Sequence, residues 1–361
     1  MVKHSDLGKL VKRHLETKMP LMIFGSTGIG KSQTVKSVAK EYATEHKLIY
    51  SENWADIDKE GYYCLVDIRG STMDRTDISG YPVADKESRK MEYYMFEGFP
   101  HKGEGVLFLD EINLAPTSVQ KALYSIILDR KIHNYMLPDG YTVIGAGNTF
   151  EDRADITSLP APLEQRLTNI TLEPPTPDEW IDWAIQNKID NRIIAYIKRF
   201  PDKLFKFNPE IIMSGQPVPR QWEALNKLIN GIEDLGFIKL LSVGRIGEPT
   251  AVEFKKFLEL SKALDIDAIW NGKEQIPEEF DLAYAVMPSL MNIFNRNKKD
   301  NFDRAIEVAE QFEKTHSPEY AVLFIKMVKA SLDEKEALAL FYKNQKSRDF
   351  LKRYARYFKC E

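Results

Sequence analysis

The sequence predicts an α/β protein: a parallel sheet flanked by helices, then a helical lid and a helical C-terminal region. Three observations carry this. Segments 21–24, 63–68, 105–109 and 142–146 are apolar almost without alternation, as in strands covered on both faces. Segments with helical spacing separate them, and a further strand is expected at 169–173. Beyond Pro174-Pro175 strand signals nearly vanish and helical spacing takes over. The limits read as 1–174 for the α/β core, 175–232 for the lid and 233–361 for the C-terminal helices.

The first strand, Leu21-Met22-Ile23-Phe24, runs into Gly25-Ser26-Thr27-Gly28-Ile29-Gly30-Lys31-Ser32. This is a complete G-x-x-x-x-G-K-S loop, with Gln33 directly after it. Lys31 to His46 then places apolar residues at 35, 38, 39, 42 and 43, the spacing of an amphipathic helix. Strand, glycine loop and helix N-terminus together suit phosphate. Glycines let backbone N–H groups turn inward, and the helix end adds partial positive charge. Lys31 is expected to reach the β- and γ-phosphates of a nucleotide and Ser32 to ligate Mg²⁺.

The strand at 105–109 ends in Asp110-Glu111. Asp110 at a strand end can hold Mg²⁺ through its water shell, and Glu111 can polarise a water for attack on the γ-phosphate. Ser118–Arg130 is expected to be helical, with apolar residues at 119, 122, 123, 126 and 127. The strand Val143–Gly147 leads to Asn148, whose amide can bond both attacking water and γ-phosphate. Arg166 lies just before the last strand, where a guanidinium can project onto a neighbouring subunit's nucleotide. In the lid, Thr176-Pro177-Asp178-Glu179 has the form of a capped helix start. Arg220, in Pro219-Arg220-Gln221-Trp222, is placed to contact the γ-phosphate and report it to the lid. Further helices are expected at Ala251–Leu264, Asn301–Thr315 and Tyr320–Leu332.

Composition narrows the setting. A formal net charge of −4 gives no global pull toward nucleic acid or anionic membrane. The two cysteines, Cys64 and Cys360, make no disulfide framework, and Cys64 reads as inert core in a reducing cytoplasm. The first six residues lack the apolar core of a signal peptide, and no apolar stretch is long enough to span a bilayer. The six histidines are scattered without metal-ligand spacing, against a transition-metal site.

Taken together these residues resemble the AAA+ ATPases, and within them the MoxR-like group related to McrB and midasin. The likeness runs from about Leu10 to Asn230 and continues more weakly beyond. Its specific marks are Asp110-Glu111-Ile112-Asn113-Leu114-Ala115-Pro116, similar to D-E-I-N-x-A-P, and Asp77-Ile78-Ser79-Gly80, similar to D-[IL]-x-G. Arg69 and Thr72 precede the second of these much as in relatives. The resemblance implies that Gly25 to Ser32 bind ATP as Walker A and that Asp110 and Glu111 form Walker B. It makes Asn148 sensor 1, Arg166 the arginine finger and Arg220 sensor 2. Arg153 is a second arginine able to act in trans, and Leu167 stands where relatives usually carry phenylalanine. Tyr81–Met95 has the place of the helix-2 insert. Lys131–Tyr141, with Pro138-Asp139-Gly140 as its turn, has that of the pre-sensor-1 hairpin. The working form that the resemblance implies is a homo-oligomeric ring, hexameric in the family's manner, acting on a protein client that often carries a von Willebrand A domain.

Three other features point elsewhere more weakly. Asn187-Lys188-Ile189-Asp190 matches N-K-x-D, the guanine-reading pattern, but continues a helix rather than following a buried strand. Gly244-Arg245-Ile246-Gly247 fits G-x-x-G of RNA-binding KH folds, yet its surroundings are helical; it reads as a loop before a helix near Pro249. The basic C-terminus, with Lys343, Lys346, Arg348, Lys352, Arg353, Arg356 and Lys359 among aromatics, allows a nucleic-acid motor of McrB type as the alternative. An amphipathic helix with aromatics inward and charges solvated is the favoured reading of this stretch.

Overall fold

The computed structural model describes residues 1–87, 89–149, 167–211 and 215–355. The chain divides into two compact units, Met1–Pro175 and Thr176–Glu361.

The first unit is built on a parallel six-stranded sheet in the order β10-β1-β9-β6-β3-β2. The strands are β1 (Leu21–Phe24), β2 (Ile49–Ser51), β3 (Tyr62–Arg69), β6 (Glu104–Asp110), β9 (Gly140–Gly147) and β10 (Thr168–Thr171). Helices α1 (His4–Thr17), α2 (Lys31–Glu45), α3 (Arg75–Ser79) and α4 (Thr117–Asp129) belong to the same unit. β3, β6 and β9 are buried over most of their length, which explains their near-continuous apolar sequence. The core they form with α4 includes Val66, Ile68, Leu107, Leu109, Ile112, Leu123 and Val143.

All five expected strands are present, within two residues of their expected limits. β2 is the strand that periodicity does not announce. Ile49-Tyr50-Ser51 is short, sits at the sheet edge and is half-exposed, so no apolar run marks it. Helix α2 matches its expected span but for His46, which caps it, and α4 begins and ends one residue early. Cys64 is buried in β3, 1% exposed, with its thiol donating to the Asp56 carbonyl at 3.3 Å. Burial pushes that thiol up to about 11, so at neutral pH it stays protonated and inert, as expected.

Two antiparallel ribbons stand apart from the sheet. β4 (Tyr81–Asp85) pairs with β5 (Lys90–Tyr94) as a hairpin within Tyr81–Met95, the stretch expected to hold the helix-2 insert. β7 (Lys131–Ile132) pairs with β8 (Tyr135–Met136), so the second hairpin turns at His133-Asn134 and not at Pro138-Asp139-Gly140. Pro138 and Asp139 lead into β9, whose first residue is Gly140. His133 takes the left-handed conformation that the tight two-residue turn requires, with φ 48°.

The second unit contains helices and no strand among its described residues. Its first helix, Pro177–Gln186, has the expected capping box, with Thr176 and Glu179 bonding each other's backbone. Tyr196, Trp222, Phe254 and Phe257 form an aromatic cluster at its core. The expected helices appear as Glu248–Leu260, Phe302–Thr315 and Pro318–Ser331. The first of these ends earlier than periodicity suggests, because Ser261–Ala263 tightens into a 3-10 turn.

Gly244-Arg245-Ile246 is not a loop. It is the last turn of the helix Leu235–Ile246, with Gly247 as the junction to the next helix. Lys188, within the N-K-x-D match, sits at φ 55° just past a helix end, among helices. At the C-terminus, Phe350 is fully buried while Tyr342 stays exposed, so the inward packing of aromatics is partial. The basic groups there are partly paired: Arg353 with Glu310 and Glu313, Lys346 with Glu307. No helix among the described residues is long and apolar enough to cross a membrane.

Candidate active site

Four strand ends meet along one edge of the sheet. β1 opens into the glycine loop, β9 into Asn148, β6 into Asp110-Glu111 and β3 into Gly70-Ser71. The pairings are parallel, so these ends lie level. Phe24 is opposite Gly147, and Arg69 is opposite Asp110. Parallel α/β sheets bind ligands at this edge, beyond the carboxyl ends of the strands.

The loop is shaped by its glycines. Gly28 and Gly30 hold φ of 77° and 101°, a region that side-chain-bearing residues rarely enter. Gly30 is also the N-cap of α2, and no side chain caps that end or places an acid in its first turn. The helix therefore keeps its positive end available to an anion. Lys31 is 7% exposed; its ammonium donates to the carbonyls of Gly25 and Ser26 at 2.5 and 3.0 Å. It also reaches Asn148 Oδ1 at 3.3 Å. A buried ammonium held by neutral oxygens is a strong partner for phosphate.

Ser32 Oγ donates to Asp110 Oδ2 at 2.8 Å, while Asp110 Oδ1 accepts from the Glu111 N–H at 2.9 Å. A hydroxyl and a carboxylate side by side, both half-buried, are the oxygen donors that a hard divalent cation takes. Glu111 itself sits at φ 54°, a left-handed conformation that a residue with a side chain adopts at a cost of about 1 kcal/mol or more. Its carboxylate accepts a hydrogen bond from Ser71 Oγ.

The structure thus brings Lys31, Ser32, Asp110, Glu111 and Asn148 into one place, with Gly25, Ser26, Thr27, Gly28, Ile29 and Gly30 as the loop between strand and helix and Gln33 exposed on α2. Arg220 belongs to the second unit, exposed in the first turn of the helix Pro219–Ile229. Arg153 and Arg166 lie outside the described residues. Two side chains enter the site without having been singled out from sequence. Ser71 was hidden because reaching Glu111 depends on β3 lying beside β6, and sheet order cannot be read from a motif. Asn113 was visible only as a letter in the Asp110–Pro116 block, yet it bonds the backbone of Asn148.

Such a site belongs to a P-loop nucleoside triphosphatase. Residues 20–167, well under half of the chain, match the AAA domain family (dynein-related subfamily). The fold is the AAA+ P-loop fold with a helical C-terminal region, and the protein is an ATPase. Among solved structures, a RuvB mutant from Thermotoga maritima is 16% identical, with 80% of this chain and 83% of that one covered and a TM-score of 0.41. NtrX from Brucella abortus in complex with ADP is 14% identical, with 91% and 68% covered and a TM-score of 0.39. Likenesses at this level carry no functional argument. No curated protein matches the chain.

The Ser71 contact generates a measurable expectation. The hydrogen bond from Ser71 occupies one Glu111 oxygen and has to be given up before that oxygen can bond the attacking water. Ser71→Ala should raise kcat for ATP about fivefold, the equivalent of one net hydrogen bond, with little change in ATP affinity. Steady-state phosphate release at saturating ATP reads this directly; an unchanged or lower kcat contradicts it.

Proposed function

We propose that this chain is a MoxR-like AAA+ ATPase that hydrolyses ATP at the subunit interfaces of a ring, in the cytoplasm, to remodel or activate a protein partner. The observation that carries the proposal is the 2.8 Å Ser32–Asp110 contact, with Lys31 and Asn148 3.3 Å apart beside it. Lys31 and the N–H groups of the loop hold the phosphates. Ser32 and Asp110 fit Mg²⁺, which would neutralise phosphate charge when bound. Glu111 accepts the proton of the attacking water, and Asn148 orients that water against the γ-phosphate. Arg166 or Arg153 supplies a guanidinium to the neighbouring subunit's nucleotide, and Arg220 reports the γ-phosphate to a lid spanning 175–232.

The specific placement near McrB and midasin rests on the Asp110–Pro116 block and on the dynein-related domain match. A protein client is supported by the two hairpins. Tyr81, Val83, Met91 and Tyr94 are exposed on β4 and β5, an apolar surface on which Lys86, Arg89 and Lys90 are balanced by Asp85, Glu87 and Glu92. Tyr93 stacks on His133 at 3.9 Å between ring centroids and 6° between planes, which ties the two hairpins together. A von Willebrand A domain is the client class that the resemblance suggests, and a hexamer the ring size. The McrB-type alternative draws on the basic C-terminus, where part of the charge is already paired with glutamates.

Glu111→Gln should bind ATP with wild-type affinity and lose turnover by about 100-fold or more. Fluorescent-nucleotide titration and phosphate release measure the two separately, and normal hydrolysis by the variant contradicts the role given to Glu111. Pull-down with this variant and ATP is expected to retain the client. Intersubunit action has its own test. Subunits carrying Arg166→Ala should lower the activity of mixed assemblies more steeply than in proportion to their share, since a trans guanidinium contributes about 1,000-fold or more. A fully active monomer at low concentration contradicts the ring.

A further inference from the structure

We propose that Asn113 is a positioning residue for ATP hydrolysis, acting through Asn148; the inference rests on the reading of Asn148 given above. β6 and β9 pair in parallel as far as Leu109 and Gly145. Beyond Asp110 the chain leaves the sheet and turns through the 3-10 segment Ile112–Leu114. The side chain of Asn113, 2% exposed, turns back toward β9. Its Nδ2 donates to the Asn148 carbonyl at 2.7 Å, and its Oδ1 accepts from the Asn148 N–H at 3.0 Å. A side-chain amide has the shape and the donor–acceptor pair of a peptide group. Here it stands in for the strand residue that β6 no longer supplies.

The fit is built from both sides. A Cβ on Gly147 would lie 2.9 Å from Asn113 Oδ1 and 3.1 Å from its Cγ, so a glycine there makes room for the amide. A buried amide left half-bonded is costly, and this one uses both ends on a single residue. Holding both backbone groups of Asn148 fixes the direction in which its side chain leaves the strand. That side chain lies 3.3 Å from the Lys31 ammonium, where the γ-phosphate is proposed to sit. A small rotation of the Asn148 backbone would swing its amide off the line between water and phosphate.

The test is a double-mutant cycle on the full chain with Asn113→Ala, Asn148→Ala and both together. ATP affinity comes from fluorescent-nucleotide titration and kcat from phosphate release. Asn113→Ala should lower kcat about 10- to 100-fold, the cost of misplacing a catalytic group by about an ångström, with ATP affinity near wild type. The double variant should be no slower than Asn148→Ala alone, because the two residues act as one unit. Asn113→Ser, which keeps one hydroxyl able to bond either backbone group of Asn148, should fall between wild type and Asn113→Ala, and it carries the cycle if the alanine variant does not fold. Unchanged kcat in Asn113→Ala, a double variant slowed by the product of the single effects, or a loss confined to ATP affinity each overturns the proposal. If Asn148→Ala alone hydrolyses ATP normally, the reading of Asn148 falls and this inference with it. A slow Asn148→Ala beside a normal Asn113→Ala removes the positioning role only.

Discussion

The site depends on one constraint: β9 is inserted between β1 and β6 in a parallel sheet. The phosphate loop follows β1 and the acidic pair follows β6, so the two halves of the chemistry are not neighbours in the ladder. They meet because β9 holds both strands in register, with Phe24 level with Gly147 and Leu109 with Gly145. The strand that spaces them also contributes its own end residue, Asn148, to the gap. Parallel pairing is what makes this possible, since it puts every carboxyl end on one edge. β3 extends the same logic one strand further and delivers Ser71 to Glu111.

A second theme is that the reactive groups already have protein partners. Lys31 is held by carbonyls of its own loop, Ser32 by Asp110, and Glu111 by Ser71. These bonds let the chain bury charge and hydroxyl groups without a large desolvation penalty. On the proposed reading, nucleotide and cation would engage these groups by exchange of partners, a local route outward through Glu111 to β3 and through Asn148 to Asn113.

How much of this the sequence discloses depends on whether a feature is local. The glycine loop, the Asp110-Glu111 strand end and the Thr176 capping box are fixed by residues next to one another, and each is where the sequence puts it. The core strands announce themselves because they are buried on both faces. β2 does not, since an edge strand of three residues carries no such pattern. The second hairpin shows a different limit. Pro138-Asp139-Gly140 has strong turn chemistry, but the register of β7 with β8 places the turn at His133-Asn134 and gives Gly140 to β9. Ser71 and Asn113 act across strands, and even the Asp110–Pro116 block, which contains Asn113, does not disclose the contact it makes. Gly147, by contrast, is a trace of Asn113 in the sequence, visible once the contact is known.

The most direct measurement is phosphate release from ATP by the purified chain with Mg²⁺ and with excess EDTA. If the strand ends converge into a working site, phosphate is released with Mg²⁺ and release stops when the cation is removed. ATP left intact under both conditions, or hydrolysed equally fast in EDTA, would contradict the assignment of Lys31, Ser32 and Asp110 to one phosphate-and-cation site.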